Sequence, residues 1–85
     1  MHYVYVLRNE LSKIYIGRTA DLEKRIIAHN KGLNTSTKGH QWELIYYEAY
    51  KSIEDALERE KQLKKHGQAK RWLKHRIARS LKVGI

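Results

Sequence analysis

Residues 2–17 read HYVYVLRNELSKIYIG, and their patterning decides the fold class. From His2 to Leu7 the run is rich in Tyr and Val and alternates, with Tyr3, Tyr5 and Leu7 on one side and Val4 and Val6 on the other, which predicts a strand. Asn9 to Lys13 is polar and turn-prone, and Ile14 to Gly17 is a second β-prone run, so the two runs are expected to form an antiparallel hairpin. Working outward, Asp21 can cap a helix that runs to Lys31 and stops at Gly32. Gly32 to Gln41 has no apolar periodicity and reads as an exposed loop. Trp42 to Tyr50 alternates nearly enough for a third strand. Ser52-Ile53-Glu54-Asp55 reads as a capping box before a helix that continues to His66 and stops at Gly67. From Gln68 onward, Ala69, Trp72, Leu73, Ile77, Ser80 and Leu81 recur at helical spacing, with basic residues mostly elsewhere around the helix. The expected order is β-β-α-β-α-α. This predicts an α+β domain, residues 1–85, in which a small antiparallel sheet is flanked by helices.

Eighty-five residues suffice for one small core. With 41% hydrophobic and 32% charged residues, disorder is not expected. The absence of cysteine excludes disulfides, thiolate metal sites and cysteine nucleophiles. The first residues lack the pattern of a signal peptide, and no apolar run approaches the ~20 residues that cross a bilayer, so a cytoplasmic protein is expected, with no membrane partner. The net charge is +9, yet every acidic residue lies at or before Glu60, so residues 61–85 carry the whole excess. Such a local basic field attracts polyanions, nucleic acid first among them, although a merely solvated helix face has the same composition.

Polar residues also fall where apolar ones are expected. In the Ser52 helix the stripe Ile53, Ala56, Leu57 and Leu63 is completed by Glu60, whose carboxylate requires either a cationic partner or a place in a cleft. The Asp21 helix carries Leu22, Arg25, Ile26 and His29 on one face, with Arg25 and His29 four residues apart. A guanidinium fork suits phosphate oxygens, and an imidazole exchanges protons near neutral pH; each alone is also a common boundary residue. Tyr5 and Tyr15 can share one sheet face across the hairpin, and Gly17 leaves room for a close approach.

Tyr3-Val4-Tyr5, then Tyr15-Ile16-Gly17, then Arg25 with His29, then Glu60 within Ala56-Leu57-Glu58-Arg59-Glu60-Lys61-Gln62-Leu63-Lys64, together resemble the GIY-YIG nuclease domain. The second motif is a literal match, whereas the first has Tyr3 where the family name has glycine. The chain is similar to small stand-alone bacterial members, related to the endonuclease domain of the nucleotide-excision repair excinuclease and to junction nucleases. The resemblance implies a three-stranded antiparallel sheet flanked by helices and Mg²⁺-dependent phosphodiester hydrolysis, with Mn²⁺ as a substitute. It also implies that Tyr5 and Tyr15 are the motif tyrosines, Arg18 a basic residue after the second motif, Arg25 the catalytic arginine and Glu60 the metal ligand. His29 occupies a site that relatives fill with tyrosine or histidine. Many members carry an asparagine beyond the glutamate helix; the corresponding neighbourhood here contains Trp72 and basic residues.

Hydrolysis of a phosphodiester needs an activated water, neutralised phosphate oxygens and a stabilised leaving oxygen. A lone Glu60 fits one hydrated divalent ion better than a two-ion clamp. A phenol is a weak base at neutral pH unless positive charge surrounds it, so the proton acceptor stays open between Tyr5 and His29. Arg18, Lys38, Lys64, Lys65, Lys70, Arg71, Lys74 and Arg79 are the candidate contacts to the DNA backbone, which read little sequence. The expected function is a metal-dependent endonuclease for structured or damaged DNA, as in DNA repair. The alternatives are a non-catalytic nucleic-acid-binding module on the same fold and an RNA- or ribosome-associated basic protein.

Overall fold

The alternating run at the start of the chain becomes the central strand of a three-stranded antiparallel sheet in the computed structural model, which describes residues 1–65. His2–Asn9 forms β1, Ile14–Thr19 β2, Leu22–Asn30 α1, Trp42–Tyr50 β3 and Ile53–Lys64 α2. The strand order is β2-β1-β3. The α+β class and element order agree with the sequence reading, and the helix expected from Gln68, with Lys70, Arg71, Lys74 and Arg79, lies outside the described residues.

Because β1 is paired on both edges and covered on both faces, its alternation sorts side chains between two cores. Val4 and Val6 join Ile16, Ala56 and Leu63 under α2, while Tyr5 and Leu7 join Trp42, with Leu22 and Ile26 of α1 packed against them. In β3 the register slips between the partners of Val6 and Leu7, so that Val6 faces Tyr46 and Leu7 faces Leu44. This bulge adds one residue and reverses the phase of the strand. Trp42 and Leu44 therefore face α1, whereas Tyr46 and Tyr50 face α2, and Tyr47 returns to the α1 side opposite Tyr5. Simple alternation along β3 misses the reversal.

The β1–β2 turn is closed by the Asn9 side chain, whose Oδ1 accepts the backbone N–H groups of Leu11 and Lys13, each at 2.9 Å. Asp21 caps α1 by accepting from the Lys24 N–H at 3.1 Å. At the other end Gly32 turns left-handed (φ 74°), its N–H reaching the His29 carbonyl and that of Leu33 the Ala28 carbonyl, which stops the helix as a Schellman motif does. Ser52, by contrast, makes no backbone cap. Its hydroxyl donates to Glu54 at 2.8 Å, because the next acidic side chain competes for it. Two residues assigned to the α2 core, Ile53 and Leu57, are each 41% exposed; Ala56 and Leu63 carry the packing.

One carboxylate ties β3 to α2. Glu48 accepts from the Tyr46 and Tyr50 hydroxyls and from Arg59 Nε and Nη2 at 2.5–3.2 Å. Burial alone would raise its pKa, but these donors overcome it and hold the carboxyl below its ordinary value. Replacing Glu48 by Ala removes the acceptor of four hydrogen bonds, so Glu48→Ala is expected to destabilise the fold by about 2–3 kcal/mol in urea titration at neutral pH. The folded carboxyl releases its proton more readily than the unfolded one, so the difference from wild type shrinks as the pH falls below its ordinary value of 4.5.

Candidate active site

Tyr5 lies in the middle of β1, 1% exposed, and its ring crosses the neighbouring edge strand at Gly17, its register partner. A Cβ at position 17 would sit 2.6 Å from the phenol Cζ, so the glycine of the Tyr-Ile-Gly motif is required by space. The phenol then meets His29, with its oxygen 2.8 Å from Nε2. Tyr15 flanks the pair from β2, 6.3 Å from the Tyr5 ring and 4.8 Å from the imidazole between centroids.

His29 is fully buried, and its other nitrogen, Nδ1, lies 2.7 Å from the hydroxyl of Thr37, itself fully buried. The Thr37 hydroxyl donates onward to the Asn34 carbonyl at 3.4 Å. One assignment satisfies every group: Nδ1–H donates to Thr37, Nε2 accepts, and the Tyr5 hydroxyl donates to it. Burial, and then the nearby Arg25 charge, hold the His29 pKa below its ordinary 6.5, which keeps the ring neutral at pH 7. Burial also pushes the Tyr5 phenol well above its ordinary value; Tyr15 and Glu60 add to the rise and Arg25 opposes it. Tyr5 is thus a proton donor in the resting protein.

The charges come from three elements. Arg25 is exposed on α1, one turn before His29, and close enough to act on both Tyr5 and His29. Glu60, from α2, also acts on the Tyr5 phenol. Its Oε1 is 3.5 Å from Arg18 Nε on β2, at ion-pair distance, and among the described residues that buried Nε makes no hydrogen bond. Glu60 Oε2 accepts from Lys64 Nζ at 3.0 Å. The misplaced carboxylate of the sequence thus has cationic partners in Arg18 and Lys64.

The tyrosines, Arg25, His29, Arg18 and Glu60 therefore gather around the β2 edge. Lys38 and Lys65 are exposed, whereas Lys64 is engaged by Glu60. Thr37 escaped the sequence reading because it sits in a polar loop without periodicity. That loop is anchored by Trp42 Nε1 donating to the Thr37 carbonyl, and by Asn30, whose side chain both donates to and accepts from the Trp42 backbone. Among the described residues no group of three or more His, Asp and Glu can cage a metal. A cation here would be held through Glu60 alone, whose side chain is 19% exposed, and it would have to displace the half-exposed Lys64 from Oε2.

A buried phenol over a Tyr-Ile-Gly edge strand, an arginine one turn before a histidine and a glutamate on the opposite helix are the residues that the motifs of the sequence single out. Residues 1–75 match the GIY-YIG catalytic domain, and the chain belongs to that family of nucleases. It is 40% identical over 67 residues to a UPF0213 protein of Clostridium perfringens, spanning 76% of this chain and 72% of the relative. A UPF0213 protein of Staphylococcus saprophyticus is 35% identical over 72 residues, spanning 82% and 88%. The solution NMR structure of a UPF0213 protein from Bacillus halodurans superimposes with a TM-score of 0.58 and 28% identity, covering 89% of this chain and 85% of that one.

Two outcomes are expected. Thr37→Val leaves the Nδ1–H buried and unpaired and costs about 1–3 kcal/mol in chemical denaturation, whereas Thr37→Ser keeps the acceptor and costs less. The unfolded chain takes up a proton on His29 more readily than the folded one. The stability this provides is therefore complete above pH 6.5 and lost as the pH falls below it. The denaturation midpoint of wild type should fall between about pH 7 and about pH 5 more steeply than that of His29→Gln.

Proposed function

We propose that the chain is an endonuclease that hydrolyses phosphodiester bonds of structured or damaged DNA with one divalent metal ion. The observation that carries this reading is the convergence on the Tyr5 phenol of the Arg25 and Glu60 charges and the neutral His29 acceptor. Glu60 would hold Mg²⁺, or Mn²⁺ in its place, with water filling the remaining positions. When bound, the ion supplies charge neutralisation at the phosphate and stabilisation of the leaving oxygen.

The chain's own residues provide the rest. Arg25 grips nonbridging oxygens with charge-assisted bonds, and the partly exposed guanidinium of Arg18 is a second cation for the same anion. The raised pKa of Tyr5 argues against a resting phenolate, and the geometry favours a relay. The attacking water passes its proton to the Tyr5 oxygen as the Tyr5 proton moves to His29 Nε2, and Thr37 holds the opposite nitrogen in its protonated form. The basic excess of residues 61–85 suits backbone contacts to DNA.

The test is cleavage of branched, flapped and linear DNA with Mg²⁺ or Mn²⁺. Wild type is expected to cut at least one branched substrate. Glu60→Gln should lower the rate by about 10³-fold or more with DNA affinity within about twofold of wild type. Equal binding by both proteins, with no cutting of any substrate, would select the non-catalytic binding module instead.

A further inference from the structure

The sequence feature that the nuclease chemistry leaves unused is Tyr3, the aromatic residue that stands where the family motif has glycine. Tyr3 lies on the same face of β1 as Tyr5, two residues away, and its ring meets Tyr47 edge-on at 6.0 Å and 66°. Tyr47 is the register partner of Tyr5 on β3, brought to that face by the bulge. Tyr5 and Trp42 on this face are buried, whereas Tyr47 is 52% exposed. With Ala20, Asp21, Leu22 and Glu23, the two tyrosines line a cleft of about 340 Å³, within the range of small-molecule sites. Leu22 also packs in the cluster that contains Tyr5, so the cleft adjoins the candidate active site.

We infer that Tyr3 and Tyr47 form a stacking platform for one unpaired base of the DNA strand whose phosphate lies at Tyr5. The inference rests on the nuclease reading for its polymer but not for its chemistry. Asp21 and Glu23 at the cleft repel a phosphate and accept hydrogen bonds from amino groups, as carboxylates do from the exocyclic amine of cytosine. One Asp21 oxygen is used by the Lys24 N–H, and among the described residues none donates to the other. Arg25, four residues beyond Asp21 on α1, supplies the cation for the adjoining phosphate. An aromatic and acidic cleft beside an arginine thus separates base from backbone. A base inside a duplex has both faces covered, so only a splayed or single-stranded base can use the platform. The substrate class that follows is DNA carrying an unpaired, amino-bearing base next to the cut phosphate.

The test is fluorescence anisotropy without divalent metal, using labelled single-stranded oligo-dC and a duplex of equal length. Tyr47→Ala, at an exposed position, should weaken single-strand binding about 5- to 100-fold and duplex binding less than about twofold, and Tyr47→Phe should bind as wild type. Replacing successive cytidines by abasic sites should reproduce the loss at one position. Unchanged single-strand affinity in Tyr47→Ala, or an equal loss on duplex, overturns the platform even if the protein cuts DNA. Conversely, a Tyr47-dependent preference in a protein that never cuts sustains the platform and removes the nuclease reading. Absence of single-strand binding by wild type removes the platform.

Discussion

The hydrogen bond between the Tyr5 hydroxyl and His29 Nε2 is the contact on which the site depends. It joins the central strand to α1 among buried side chains, where an unpaired phenol or imidazole would cost about 1–3 kcal/mol. Making it requires a cleared path over β2 and a fixed imidazole orientation. Gly17 provides the first by lacking a side chain, and Thr37 the second by taking the far nitrogen. The loop from residue 31 to residue 41 is therefore part of the site, held by Asn30 and by Trp42 through its backbone and indole.

The same bond explains how opposite sides of the sheet cooperate. Tyr5 and His29 belong to the α1 side, whereas Arg18 and Glu60 meet on the α2 side. β2 is an edge strand, and a phenol that reaches across it feels charges from both helices. A sheet with a further strand beside β2 would keep these groups apart.

The hairpin, the capped α1 and the order of elements along the chain were legible because β1 alternates and Asn9, Asp21 and Gly32 are local signals. Arg25, His29 and Glu60 were legible as polar groups within apolar stripes, Tyr5 through the hairpin that sets it on one face with Tyr15, and spacing alone brings Arg25 and His29 to one face. The β3 bulge was not, since an inserted residue leaves no mark in an aromatic run with both faces covered. Thr37 was not legible because its burial depends on Trp42 and Asn30, which are near it only in space. Ser52 was misread for a related reason: the capping pattern is local, but Glu54 competes for its hydroxyl within the same turn.

The gap at Gly17 also couples the histories open to two positions. Any side chain at 17 collides with the ring of residue 5, and removing the hydroxyl alone does not relieve the clash, because the ring carbon Cζ is itself too close. A lineage can enlarge residue 17 only after residue 5 has surrendered its aromatic ring. The order of substitution is therefore enforced by geometry, and the two sites form an epistatic pair.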